Sequence, residues 1–328
     1  MLMEAAARPV LAALQQDFFA AWSRGQWEGL APSLADGAVL ISSQHGEGQG
    51  ANQGAANWQR LLAADASLLT WLRTSNHAIR VGRGGQAATS AYAIGLFSRG
   101  TQQFLFGASV VLRMRQQGSR WLLAGARIQV NWCKGDAALA AHWRQPPSDA
   151  GWQLGDPTPA IVSELDSPWA LIRDALPPAD VQEAVRELYS QYSWAIDQGD
   201  IALLADSYSE DAAGGFTPMG ALQGRHAIIG QQKSFRRHWP WMQHFADVLR
   251  LELEADGRHA QMIVGRIVPE RPADEAGRAI YGAHYQLRLR LEADGRWRIG
   301  WFDYRPGWFS TDTVPAFEIG ITHALDQG

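Results

Sequence analysis

The chain has 328 residues, 46% hydrophobic and 19% charged, with a net charge of −4. That composition excludes an intrinsically disordered chain and suits two globular domains of roughly 100–200 residues each. The slightly acidic balance argues against a sequence-independent grip on nucleic acid, and the single cysteine, Cys133, excludes a disulfide framework or a cysteine-based zinc site within the chain.

Residues 1–14 carry one basic side chain, Arg8, and no long apolar core, so they read as part of an amphipathic helix over 5–24 and not as a signal peptide. No apolar run approaches the length of a membrane span, and a reducing cytoplasm suits the lone cysteine. Gly25 stands where a glycine ends a helix. A short helix over 27–35, a glycine-rich turn and a helix over 52–64 follow. Strands then dominate to the end of this first half, near residue 143, with Gly82 to Gln86 (GRGGQ) read as a hairpin turn. Between Arg144 and Asp180 stand Pro146, Pro147, Pro157, Pro159, Pro168, Pro177 and Pro178, which predict a surface-wrapping linker with a short helix near 167–175. The same order then returns: a helix over 180–198 ending at Gly199, a short helix over 200–209, a turn, a helix over 224–237, then strands. Asp256-Gly257 and Asp294-Gly295 mark tight hairpins. In the strand from Ala283, Tyr285, Leu287, Leu289 and Leu291 share one face, and His284, Gln286, Arg288 and Arg290 the other.

The recurrence is a sequence repeat. FFAAWSRGQWEGLAPSLADGAVL (Phe18 to Leu40) aligns with QYSWAIDQGDIALLADSYSEDAA (Gln191 to Ala213) when Gly25 is set on Gly199. SNHAIRV (Ser75 to Val81) aligns with MQHFADV (Met242 to Val248), and Phe106 to Gly125 with Tyr281 to Gly300. Three blocks in one order predict a duplicated domain. Residues 1–150 carry 13 basic and 8 acidic side chains and the remainder 16 and 25, so opposite net charges favour association of the halves. Helices followed by an antiparallel sheet make each half an α+β fold.

Each half resembles the SnoaL-like branch of the nuclear transport factor 2-like superfamily. The segments that carry it are YSWAIDQGDIALLADSYSEDA, GALQGRHAI and MQHFAD in the second half. The resemblance implies two tandem cone-shaped α+β barrel domains, over 1–143 and 180–312, joined by a linker at 144–179 and followed by a tail at 313–328. It covers dehydratases, isomerases, cyclases, epoxide hydrolases and pure binding proteins, so fold is better indicated than activity. The scytalone dehydratase and bile-acid dehydratase branch is most similar. It uses an aspartate at the end of the first helix and a histidine at the first long strand, which fall on Asp197 and His244. The tyrosine that polarises the substrate there has no counterpart here: Phe216 stands near one expected position and Ile196 at another, a departure from the dehydratase pattern.

The residues themselves fit this reading. A carboxylate in the last turn of a helix is disfavoured by the macrodipole, which suits a functional group at Asp197. A histidine beside it becomes an oriented imidazole for acid/base work. Tyr192, Tyr208, Phe216, Trp239, Trp241, His284, Trp301, Asp303 and Tyr304 are the candidate substrate-binding residues, although a core role is the alternative for each aromatic ring. Ser23 replaces Asp197 in the first half while His77 matches His244, so the first copy is expected to be degenerate. His45 and Cys133 are the residues that could give it a separate role. No local metal motif and no phosphate loop is present, and no cofactor is expected.

The expected function is a cofactor-independent lyase, of dehydration or retro-aldol type, acting on a hydrophobic aromatic or polycyclic small molecule through Asp197 and His244. The alternatives are an isomerase or polyketide-cyclase-like enzyme with the same residues, and a non-catalytic small-molecule-binding protein. The expected partners are a small-molecule substrate, with neither nucleic acid nor membrane, and an intramolecular pseudo-dimer or a homo-oligomer.

Overall fold

The computed structural model describes residues 7–45, 55–146, 154–156, 158–178, 180–238 and 242–317. The chain divides into two compact units, Met1–Pro177 and Pro178–Gly328.

In the first unit, α1 (Ala7–Arg24) buries Leu11, Leu14, Phe18 and Trp22, a spacing of three and four residues that lays them along one face. After α2 (Trp27–Leu30) and a 3-10 turn (Ala31–Ser33), the chain enters β1 (Leu34–Ser42). The helix expected over 27–35 therefore stops short, and a strand takes its last residues. Helix α3 (Ala55–Ala66) leads into β2 (Leu69–Val81), β3 (Gln86–Arg99), β4 (Gln102–Gln117) and β5 (Arg120–Gly135). The sheet order is β1-β5-β4-β3-β2, antiparallel except that β1 runs parallel to β5. The β2–β3 turn closes through Gly82, whose N–H donates to the Gln86 carbonyl at 2.8 Å. The core is aromatic: Phe106 meets Trp143 at 4.9 Å, Phe97 at 5.4 Å and Trp22 at 6.0 Å between ring centroids. Here the tryptophans Trp22 and Trp58 are packing residues, fully buried.

The proline-rich segment does more than link. Its short helices α4 (Ser163–Asp166) and α5 (Pro168–Leu171) lie in the first unit. Leu176 bridges to Val81, and Arg127 holds Asp166 at 3.1 Å and donates to the Ala160 carbonyl at 2.7 Å. Ala160, Ile161, Trp169 and Ile172 are buried, and such apolar anchors outweigh the wandering that proline spacing suggests.

The second unit opens with α6 (Val181–Gln198), capped by the Asp180 carboxylate on the Gln182 N–H. Then come α7 (Ile201–Ser207), β6 (Tyr208–Gly215), β7 (Ala221–Gln223), α8 (Arg225–Arg236), β8 (Ala246–Leu253), β9 (His259–Arg266), β10 (Ile280–Leu291) and β11 (Trp297–Ser310). The sheet order is β7-β6-β11-β10-β9-β8, with β6 parallel to β11. Gly257 and Gly295, at φ 65° and 77°, turn the two expected hairpins. Both units are thus mixed α+β with a helix-packed sheet, and apart from β7 the two sheets share one strand order. The repeat-aligned glycines Gly107 and Gly282 fall on the equivalent strands β4 and β10. Among the described residues no helix is long and apolar enough to cross a membrane.

Candidate active site

Asp197 sits in the last turn of α6 because Gly199, in the left-handed region at φ 70°, ends the helix two residues later. Its side chain is 1% exposed. A buried carboxylate at a helix C-terminus faces the negative end of the macrodipole and needs donors. His244, just before β8, supplies two. Its main-chain N–H donates to Oδ2 at 2.7 Å and its ring Nδ1–H donates to Oδ1 at 2.6 Å. Arg236, at the end of α8, donates to the Asp197 carbonyl and to the Met242 carbonyl, each at 2.7 Å. One guanidinium thereby caps the helix and pins the segment that carries His244.

His244 lines a cavity of about 150 Å³, together with Tyr192, Phe216, Arg266, Tyr285, Phe302 and Tyr304. Asp197 is not on the lining and acts behind the imidazole, fixing its tautomer and orientation. Phe216 stacks on Phe302 with ring centroids 4.8 Å apart. The lining also includes Ile196, Met219, Gln232 and Arg236. Gln232 Nε2 donates to the Tyr208 hydroxyl at 2.9 Å and to the Tyr192 hydroxyl at 3.4 Å. Burial pushes the Tyr192, Tyr208 and Tyr285 phenols above their ordinary range. At neutral pH they are protonated and can donate. Arg266 donates to the Tyr304 hydroxyl at 3.4 Å and stays charged, since the neighbouring Tyr285 and Tyr304 outweigh the downward pull of burial.

The sequence-predicted residues divide. Tyr192, Phe216 and Tyr304 line the cavity, and Tyr208 reaches it through Gln232. Trp301, Asp303 and His284 lie on the opposite face of the sheet. The register pairs Tyr285 with Tyr304 and Leu287 with Phe302 inside, and so His284 with Arg305, Gln286 with Asp303 and Arg288 with Trp301 outside. There Asp303 accepts from Arg305 at 2.6 Å, Trp301 stacks under Arg288 at 5.2 Å, and His284 meets Phe309 edge-on at 5.7 Å. Trp239 and Trp241 lie outside the described residues. Sequence reasoning missed Arg266, Arg236 and Gln232. None stands in a local motif: Arg266 is a lone charge in an apolar strand, QMIVGRIV, whereas Gln232 and Arg236 lie in the polar run GQQKSFRRH, where neither stands out.

In the first unit the equivalent pair is absent. Ser23 replaces the aspartate, and His77 Nδ1 faces the Gln15 side-chain oxygen at 2.8 Å. Among the described residues, one group of three potential metal ligands converges, and it is in this unit: His45, Asp65 and His142. Burial raises the Asp65 carboxyl, but hydrogen bonds from His142, His45 and Trp143 outweigh it and hold the group at about 2.

Residues 178–302 match the family model of the SnoaL-like domain. No curated protein matches the chain. Among solved structures, a protein named as a candidate scytalone dehydratase from Novosphingobium aromaticivorans DSM 12444 is 8% identical, covering 41% of this chain and 90% of its own, with a TM-score of 0.35. The hexachlorocyclohexane dehydrochlorinase LinA-type3 from Novosphingobium barchaimii LL02 is 15% identical, covering 42% and 94%, also at 0.35. The protein LinA is 17% identical, covering 42% and 93%, at 0.36.

Proposed function

We propose that the second unit is a lyase that eliminates water from a flat, hydrophobic carbonyl compound by proton transfer through its own side chains. The observation that carries this reading is the imidazole of His244, held by Asp197 at 2.6 Å and set in the wall of an aromatic cavity. With Nδ1–H committed to the carboxylate, Nε2 is the nitrogen that takes a proton from the carbon beside the carbonyl. The electron pair passes to the carbonyl oxygen, and the guanidinium of Arg266 neutralises the enolate charge. The enolate collapses, the C–O bond at the β carbon breaks, and the imidazolium returns its proton so that the hydroxyl leaves as water. Asp197 stabilises the imidazolium between the two transfers. A retro-aldol cleavage would use the same groups, with the proton taken from a hydroxyl.

Turnover of a panel of aromatic β-hydroxy ketones by the full chain tests this. His244→Gln should lower kcat by about 10²–10⁴-fold. Asp197→Asn should lower kcat with little change in KM, because it acts on the ring and not on the substrate. Equal kcat in wild type and His244→Gln would overturn the reading.

A further inference from the structure

We propose that the first unit carries a binding site for a divalent transition metal, built from His45, Asp65 and His142. The three residues arrive from separate places: beyond the end of β1, from the last turn of α3, and from just after the 3-10 turn Ala137–Ala140. Their ligand atoms lie within 4.8 Å of one another. His142 Nε2 is 2.8 Å from Asp65 Oδ1, and His45 Nε2 is 3.2 Å from Oδ2 and 3.3 Å from Oδ1. Ligands bonded to one tetrahedral ion at about 2.0–2.2 Å stand roughly 3.3–3.6 Å apart, so small rotations admit an ion.

The surroundings are those of an oriented ligand set. Ser42 Oγ lies 2.8 Å from His45 Nδ1. With Nε2 on a metal, Nδ1 keeps its proton and donates it to that hydroxyl, which fixes the ring. The Trp22 indole N–H donates to Asp65 Oδ2 at 2.9 Å and the Trp143 indole N–H to Oδ1 at 2.7 Å, leaving lone pairs directed at the two imidazoles. Charge points the same way. The Asp65 side chain is 0% exposed, and its partners among the described residues are two indoles and two imidazoles, with no lysine or arginine. A buried carboxylate calls for a counter-charge, which a bound cation supplies. Two imidazoles with one carboxylate favour zinc-like ions over magnesium or calcium. Three protein ligands also leave coordination positions for solvent or a small ligand. The His142 side chain, 33% exposed against 2% for His45, marks the side from which they are reached.

The test uses the untagged full chain, stripped with a chelator and titrated with Zn²⁺ against a chromophoric competitor, then with Co²⁺ while visible absorption is recorded. Wild type should take up a single tight zinc ion per chain, and Co²⁺ should give ligand-field bands. Ser42→Ala should weaken zinc by about 10–100-fold, and His142→Gln by at least as much. His244→Gln should leave binding unchanged. His142 is partly exposed, so its variant remains interpretable even if His45→Gln fails to fold. Zinc binding undiminished in His142→Gln, or no tight zinc in wild type, would overturn the proposal and leave a hydrogen-bonded carboxylate–imidazole cluster.

Discussion

A carboxylate at position 197 is in a poor place for stability, buried and at the negative end of a helix. The structure offsets this with two donors from one residue, which also immobilises the His244 ring. The pair was legible because Asp197 and His244 align with a known pattern, although 47 residues separate them. Of the polar lining, Tyr192 and Tyr304 were legible, and Arg266, Arg236 and Gln232 were not. Alternation along β11 shows that Trp301 and Asp303 share a face and that Tyr304 does not, but not which face is inside. Packing decides that, and it turns Phe302 and Tyr304 inward. Gln232 presents a further acceptor at the cavity, since its buried Oε1 has no protein partner among the described residues. We expect Gln232→Leu to weaken a hydroxylated ligand relative to its deoxy analogue by about 1–3 kcal/mol. Calorimetric titration of both ligands checks this, and equal losses would remove Gln232 from hydroxyl recognition.

At the level of elements, the site depends on where α6 stops and where α8 reaches. Gly199 takes φ 70°, and a Cβ there meets no atom within 4 Å, so the cost of a side chain is conformational and not steric. Gly199→Ala should therefore lower stability by about 1–2 kcal/mol, read from the denaturant midpoint. An unchanged midpoint would show that the helix end is not fixed by this residue. Helix positions were well marked in the sequence, since apolar spacing and the closing glycines agree. Strands β1 and β6 were not. LADGAVLIS and YSEDAAGG hold alanine, glycine and acidic residues with weak strand preference. They form because β5 and β11 offer partners far away in sequence.

For the whole molecule, the shared strand order of the two units agrees with the repeat read from three sequence blocks. What the repeat could not show is how differently the interiors are used. The first unit packs Phe97, Phe106 and Trp143 together and gathers His45, Asp65 and His142, which lie 20 and 77 residues apart and form no local motif. The second keeps a cavity walled by His244, Arg266 and tyrosines. We propose that His244 takes and returns a proton at the carbon of a substrate bound in that cavity. Wash-in of solvent deuterium tests it directly: a bound aromatic ketone is incubated with the full chain in D₂O, and exchange beside the carbonyl is followed by NMR. Wild type should show exchange, Asp197→Asn a smaller rate and His244→Gln the uncatalysed rate. Equal exchange by wild type and His244→Gln, or no exchange by wild type with the ketone demonstrably bound, would contradict it.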